Sequence, residues 1–229
     1  MADLRRTLGL ATLGFYGIGV IIGAGIYSVI GPAAGVAGDA LWQAFVLAGV
    51  AAALSALSYA ELAAMFPHAG AIYVYLRAAW PRLGWLPGTA GWVLIFTSIA
   101  GTAAIARAFA GYATRFLPGP EGLIAVGFIA AVVAIALAGM AWTSRANILL
   151  TIIEIAGLIA IIAVGIAAPD FGRALSAPPH PGVIDAAGLV FFAFLGFESL
   201  ANLAEDARDP QRDLPRAMFI AVSVTTVLY

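Results

Sequence analysis

Long, uninterrupted apolar runs are the feature that most constrains how this chain folds. They cover approximately residues 8–31, 40–66, 84–116, 122–142, 146–168 and 183–204. Each is about as long as the roughly 20 residues that a helix needs to cross the hydrocarbon core of a bilayer. In addition, 63% of the residues are hydrophobic and only 10% are charged, whereas a soluble domain averages about 25% charged residues. The sequence therefore predicts an all-α integral membrane protein.

A seventh apolar run begins at Arg216 and reaches the last residue, Tyr229, after fourteen residues. A helix of that length extends about 21 Å, which is less than the ~30 Å hydrocarbon core. We therefore expect the chain to be the amino-terminal part of a larger protein. Tyr229 lies at the end of a run, as membrane-interface anchors do, and such an anchor is the role that its position predicts.

Two segments between the runs have their own character. Residues 71–80 are apolar with one arginine, which predicts a short helix at the cytoplasmic interface. Residues 205–216 contain seven charged residues of twelve and two prolines, which predicts a solvated loop.

The arginines predict the orientation of the chain in the membrane. With the amino terminus inside, the outer segments hold two arginines, Arg115 and Arg173. The cytoplasmic segments then hold eight arginines: Arg5, Arg6, Arg77, Arg82, Arg145, Arg208, Arg212 and Arg216. The positive-inside rule therefore predicts a multi-pass protein of the inner membrane with a cytoplasmic amino terminus. The net charge of −1 shows no basic excess for nucleic acid, and cysteine is absent.

The first run is rich in glycine, and two interpretations fit its pattern. Gly19 and Gly23 have the spacing of closely packed membrane helices. Alternatively, residues 23–25 mark a break in the helix at membrane depth, where freed backbone groups must line a cavity or meet a ligand. The half-helix that starts near Ala24 would then present N–H groups to an anion, and the one that ends near Ile21 would present carbonyl groups to a cation. A zwitterion such as an amino acid would satisfy both ends, because it has one group of each charge.

The sixth run combines a central glycine with a carboxylate. Gly196 lies between Phe194-Leu195 and Phe197-Glu198, so its position allows a second break there, with helix packing as the alternative. Glu198 lies in the same run, and carboxylates inside membrane spans are rare and usually face the protein interior or water.

Three motifs, in order along the chain, resemble the amino acid–polyamine–organocation permease family: GIGVIIGAGIY, ELAAMFPHAGAIYVYLR, and FFAFLGFES followed by AEDARDPQRDLPRA. The resemblance implies an inverted-repeat, leucine-transporter-type fold with discontinuous spans 1 and 6. It also implies a single transmembrane domain over residues 1–229 that is incomplete at the carboxy end. Residues 8–168 would form the first five-helix repeat, and residues 183–229 would begin the second.

The family's substrate site, carried onto this sequence, lies at the two breaks. The N–H groups of residues 24–26 would bind the substrate carboxylate. The carbonyl groups of Ile21, Phe192 and Leu195 would bind the amino group. The implied substrate-binding residues are Ile21, Gly23, Ala24, Gly25, Ile26, Phe191, Phe192, Phe194, Leu195 and Gly196. Among them the glycines permit close backbone approach, and either Phe191 or Phe194 acts as an aromatic gate.

Two carboxylates are candidates for proton coupling, Glu154 and Glu198. Many relatives have lysine where this chain has Glu154, so the residue departs from the family pattern. A buried carboxylic acid can load and release protons near neutral pH. The alternative for Glu154 is a structural hydrogen bond to the backbone of span 1.

The function that the resemblance implies is secondary active transport of amino acids or related amines by alternating access, proton-coupled or by exchange. Antiport of polyamines or cationic amino acids is the alternative, and an intramembrane enzyme or a channel ranks lower. No catalytic residue, metal site or cofactor is expected. The expected partners are the substrate and the lipid bilayer, with a homodimer left open.

Overall fold

A computed structural model describes residues 7–138 and 140–229, and for residues 24 and 140–148 it describes the backbone alone. These residues form α-helices and short 3₁₀ segments without a β-strand, apart from one isolated bridge between Leu8 and Ala207. The all-α prediction is confirmed. The helices are α1 (Leu10–Ile21), α2 (Ala24–Ala37), α3 (Leu41–Met65), α4 (Ala71–Ala79), α5 (Trp85–Ala113), α6 (Glu121–Leu137), α7 (Met140–Ala167), α8 (Phe171–Leu175), α9 (Val183–Phe194) and α10 (Pro210–Leu228).

The helices coincide with the predicted spans. In the described residues, four helical stretches are long and apolar enough to cross a membrane: Gly25–Met65, Trp85–Ala113, Leu149–Ala167 and Val183–Leu203. Two shorter apolar helices, α1 and α6, correspond to the start of the first run and to the fourth run. Arg5 and Arg6, on which part of the orientation argument depends, lie outside the described residues.

The chain divides into two compact units, and the first comprises Met1–Ile95 with Ala177–Tyr229. In it α3 packs on α9 and α10, α2 packs on α9, and α1 packs on α10. Small residues allow this close packing, because α3 buries an alanine at every fourth position. Those alanines are Ala44, Ala48, Ala52, Ala56 and Ala60. The same face includes Gly49, where an added Cβ would lie 2.5 Å from Cγ2 of Thr226 in α10.

The second unit, Phe96–Ser176, contains most of α5 together with α6, α7 and α8. Ala106 and Ala110 of α5 and Ala125 of α6 form its buried cluster. The rings of Phe109 and Phe128 stack with their centroids 4.4 Å apart. Contact between α5 and α6 therefore again depends on small residues beside an aromatic pair.

The prediction of a loop over residues 205–216 is wrong in its second half, because the seventh helix begins before Arg216. Helix α10 starts at Pro210, because proline at the first helical position lacks only an N–H that would have no helical partner there. The Asp209 carbonyl accepts the N–H of Asp213 at 2.7 Å. Leu214 is fully buried, so the charged residues lie around an apolar anchor and not in an open loop.

The short interfacial helix predicted at residues 71–80 is present as α4. Its Tyr75 is buried, with its ring centroid 6.5 Å from that of Tyr59 and 6.3 Å from that of Phe66. Tyr59 in turn contacts Phe197 edge-on at 5.8 Å. In the part of the chain that is described, the Tyr75 hydroxyl has no hydrogen-bond partner. Burial, and secondarily the nearby Tyr59, raise the pKa of Tyr75 to about 12.

Because the Tyr75 hydroxyl is desolvated without a partner, Tyr75→Phe is expected to leave the free energy of unfolding at pH 7 unchanged or to raise it by up to about 1 kcal/mol. The unfolded chain ionises a tyrosine near pH 10, whereas folded Tyr75 stays neutral up to a pKa of about 12. The parent therefore loses stability between pH 10 and 12, and the variant loses less. Thermal unfolding at pH 7 and at a pH between 10 and 12 tests this, with exposed Tyr73→Phe as the control. A loss of stability at pH 7 would indicate a hydrogen-bond partner for this hydroxyl.

Candidate functional site: two adjacent helix breaks

The first span is interrupted at two residues. Helix α1 ends at Ile21 and α2 begins at Ala24. Between them Ile22 has φ −74° and ψ 68°, and Gly23 has φ −111° and ψ −169°, and neither pair is helical. Of the two interpretations of the glycine pattern, the structure therefore favours the break.

The sixth span is interrupted as well. Helix α9 ends at Phe194, Leu195 is extended with ψ 146°, and Gly196 has φ +124°. The chain continues as a 3₁₀ helix over Phe197–Leu203. The second break is thus present as predicted, and its far side is a 3₁₀ helix.

The two breaks lie against each other within the first unit. A Cβ added to Gly196 would be 2.9 Å from Cγ1 of Val20 and 3.1 Å from its carbonyl oxygen. A Cβ added to Gly25 would be 3.2 Å from Cα of Ala193. The backbones of the two spans therefore approach each other at glycine positions on both sides of the breaks.

Gly25→Val is expected to lower the free energy of unfolding by about 1–3 kcal/mol, because the backbone of Ala193 leaves no room for the added methyl groups. Gly35→Val is the matched control in the same helix, since an added Cβ there meets nothing within 4 Å. Chemical or thermal unfolding of the two variants provides the comparison. Equal losses in both would contradict a specific contact at Gly25.

The amino end of α2 presents backbone donors at the break. Its cap residue, Gly23, has no side chain that could cap the helix, and the first N–H groups of a helix have no partner within the helix. These belong to Ala24, Gly25 and Ile26. The partial positive charge of the helix end adds to their attraction for an anion. Ile26 itself is buried.

The carbonyl groups on the opposite side are already partly engaged. The Ile21 oxygen accepts the N–H of Gly23 at 2.8 Å and the hydroxyl of Tyr229 at 2.9 Å. The Phe192 oxygen accepts the N–H of Leu195 at 3.3 Å. A carbonyl has two acceptor lone pairs, so a cation that binds at Ile21 must share or displace the Tyr229 hydroxyl.

Tyr229 is the site residue that sequence reasoning missed. Its hydroxyl lies between the two breaks, 2.9 Å from the Ile21 oxygen and 3.3 Å from the Ala193 oxygen. Its ring contacts Phe194 and Phe45, with centroids 5.3 and 6.0 Å apart. The interpretation as a membrane-interface anchor is therefore wrong. The available signal is that Tyr229, directly after α10, continues the spacing of its buried residues, which recur every three or four positions: Leu214, Met218, Val222 and Thr225.

The predicted aromatic residues separate into two groups. Phe194 is fully buried and packs edge-on against Tyr229, so its ring is part of the packed core beside the break. Phe191 and Phe192 are partly buried and pack on the edge of the same core.

The two candidate carboxylates lie in different units. Glu198 is at the second break, where its Oε2 accepts the N–H of Gly196 at 2.8 Å. This hydrogen bond caps the start of the 3₁₀ helix. Glu154 belongs to α7 of the second unit. In the described residues, no group of three or more His, Cys, Asp or Glu could hold a metal ion.

Comparisons with known proteins agree on one family. The profile described as amino acid permease matches residues 8–229. An uncharacterized transporter of Mycobacterium tuberculosis is 36% identical over 99% of this chain and 51% of its own length. The branched-chain amino acid permease of Bacillus subtilis is 32% identical over 99% of this chain and 53% of its own length. Cationic amino acid transporter 5 of Arabidopsis thaliana is 35% identical over 99% of this chain and 43% of its own length. The chain thus spans about half the length of the curated relatives it matches.

Proposed function

Because the chain belongs to the amino acid permease family, we propose that the whole protein moves amino acids or related amines across the cell membrane by alternating access. The family and the relatives named above are permeases and transporters and not enzymes. The chain is accordingly part of a multi-pass membrane protein with the leucine-transporter-type fold of its family.

The inner membrane and a cytoplasmic amino terminus are the location and orientation that we propose. The orientation is tested with the single-cysteine variants Arg82→Cys and Arg173→Cys, which are exposed in intact cells to an impermeant maleimide. Labelling of Arg82→Cys would contradict a cytoplasmic amino terminus.

The observation that carries the proposal is the contact between the two breaks. The N–H groups of Ala24, Gly25 and Ile26 provide a site for a carboxylate. The carbonyl ends at Ile21 and at residues 192–195 provide a site for an ammonium group. Donors and acceptors of opposite partial charge within one small space suit a molecule that has both groups on one carbon.

The side chains at the breaks favour a neutral amino acid. Phe191, Phe192 and Leu195 are apolar, and the carboxylate of Glu198 is engaged by the N–H of Gly196 at 2.8 Å. A second candidate is a cationic amino acid or polyamine exchanger. It would need a free carboxylate facing the ligand side chain, which Glu198 could supply if that hydrogen bond opens.

Counterflow in proteoliposomes of the full-length protein tests the proposal. Vesicles preloaded with unlabelled leucine are expected to accumulate labelled leucine, with saturation as the external concentration rises. Preloading with arginine or putrescine tests the cationic alternative in the same assay. Protein-free vesicles are the control. Flux that stays linear with concentration would indicate a channel and would contradict a carrier.

We propose that Glu154 and Glu198 take part in proton coupling. Each is replaced by glutamine, which in the case of Glu198 retains an oxygen that can accept the Gly196 N–H. We expect the uptake of at least one variant to lose its dependence on pH between 5 and 8. Glu61→Gln, at the exposed end of α3, is the control. An unchanged pH profile in both variants would contradict the coupling role.

A further inference from the structure

A surface groove of about 430 Å³ lies where the amino end of α1, the carboxyl end of α3 and the amino end of α10 come together. Its volume falls within the range of about 300–1,000 Å³ that is usual for small-molecule sites. Two of its wall residues, Leu57 and Phe219, are 52% and 53% exposed. The apolar lining consists of Leu10, Leu57, Ala60, Pro215, Phe219 and Ile220.

One charged residue, Arg216, lines the same groove. It is exposed, and so is Arg212, one helical turn earlier in α10. Within the described ranges, neither guanidinium has an ion-pair partner. The three helix ends that form the groove are also the ends that the arginine distribution predicts to be cytoplasmic. The groove therefore combines apolar walls with a positive rim at the level of a membrane–water interface.

This combination selects the chemistry of the ligand. A small water-soluble anion would use Arg216 but leave the apolar walls exposed. An uncharged lipid would cover the walls but leave the guanidinium unpaired. A phosphate ester binds a guanidinium through two parallel hydrogen bonds, and arginines beside a membrane attract anionic lipids.

We propose that this groove binds an anionic phospholipid. Its headgroup phosphate lies on Arg216, and one acyl chain lies along Leu57, Phe219 and Leu10. A zwitterionic phospholipid binds less well because its own ammonium group offsets the attraction of the phosphate. The groove is formed by α1, α3 and α10, and the proposal does not depend on which substrate the protein transports.

Native mass spectrometry of the full-length protein in detergent tests the proposal. Dioleoylphosphatidylglycerol and dioleoylphosphatidylcholine are added separately at equal concentration, and the fractions of lipid-bound protein are compared. We expect about fivefold more binding of phosphatidylglycerol, the factor that one interfacial arginine typically contributes. Arg216→Gln should bring the ratio close to one, and Arg216→Lys should retain most of the preference. Leu57→Trp, which fills the groove and leaves Arg216 in place, should reduce binding of both lipids.

Arg77→Gln is the matched control. Arg77 is an exposed arginine of α4 that contacts Tyr73 outside the groove, so its replacement should leave the lipid ratio unchanged. Glycerol phosphate, which has the headgroup charge without acyl chains, should not compete. An unchanged ratio in Arg216→Gln, an equal loss in Arg77→Gln, or full competition by glycerol phosphate would each overturn the proposal.

Discussion

Replacing Gly196 with alanine is expected to lower the free energy of unfolding of the full-length protein by about 2–6 kcal/mol and to abolish uptake. Gly196 has φ +124°, a conformation in which a side chain costs about 1–3 kcal/mol. The added Cβ would also lie 2.9 Å from Cγ1 and 3.1 Å from the carbonyl oxygen of Val20, and such overpacking costs a further 1–3 kcal/mol or so. The carbonyl cannot move away without displacing the end of α1, so the change would separate the two breaks.

Gly188→Ala in α9 is the matched control for this variant. Gly188 lies two turns earlier in the same span, and an added Cβ there meets nothing within 4 Å. It should retain wild-type stability and uptake. Denaturant or thermal unfolding, together with uptake in proteoliposomes, provides the comparison. Wild-type uptake by Gly196→Ala would show that transport does not need the observed geometry of the second break.

Tyr229→Phe is expected to destabilise the substrate-free protein by about 1–3 kcal/mol, because the Ile21 carbonyl then loses a buried hydrogen-bond donor. The ring remains and keeps its contacts with Phe194 and Phe45. If a substrate ammonium binds at the same carbonyl, it replaces the missing donor. Saturating substrate should therefore stabilise the variant more than it stabilises the parent.

Thermal unfolding with and without the transported amino acid measures both effects of Tyr229→Phe. Tyr16→Phe serves as the control, since Tyr16 is an exposed residue of α1. A deficit no larger than that of Tyr16→Phe would contradict the role of the hydroxyl between the breaks. A deficit that the amino acid does not reduce would contradict the proposed position of the ammonium group.

The helix pattern and the family could be predicted from the sequence because they depend on local properties. Hydropathy alone located the spans, since apolar length is a property of consecutive residues. Glycine density made residues 23–25 a candidate break in span 1, and a central glycine made Gly196 a candidate break in span 6, with close helix packing as the alternative at both. The prediction is wrong at residues 210–216, where the high density of charged residues indicates a loop. In the structure Leu214 is buried and Pro210 begins a helix.

The role of Tyr229 could not be predicted in this way, because a hydrogen bond to Ile21 joins residues separated by 208 positions. Likewise, hydropathy does not show that Arg216 lies at one end of an apolar groove, since that arrangement depends on how α1, α3 and α10 pack together. By itself the sequence determined the membrane spans, the candidate positions of the breaks and the family, because each depends on neighbouring residues. Only the tertiary structure decided that the two breaks meet and which carbonyl groups are already engaged, because those depend on contacts between distant parts of the chain.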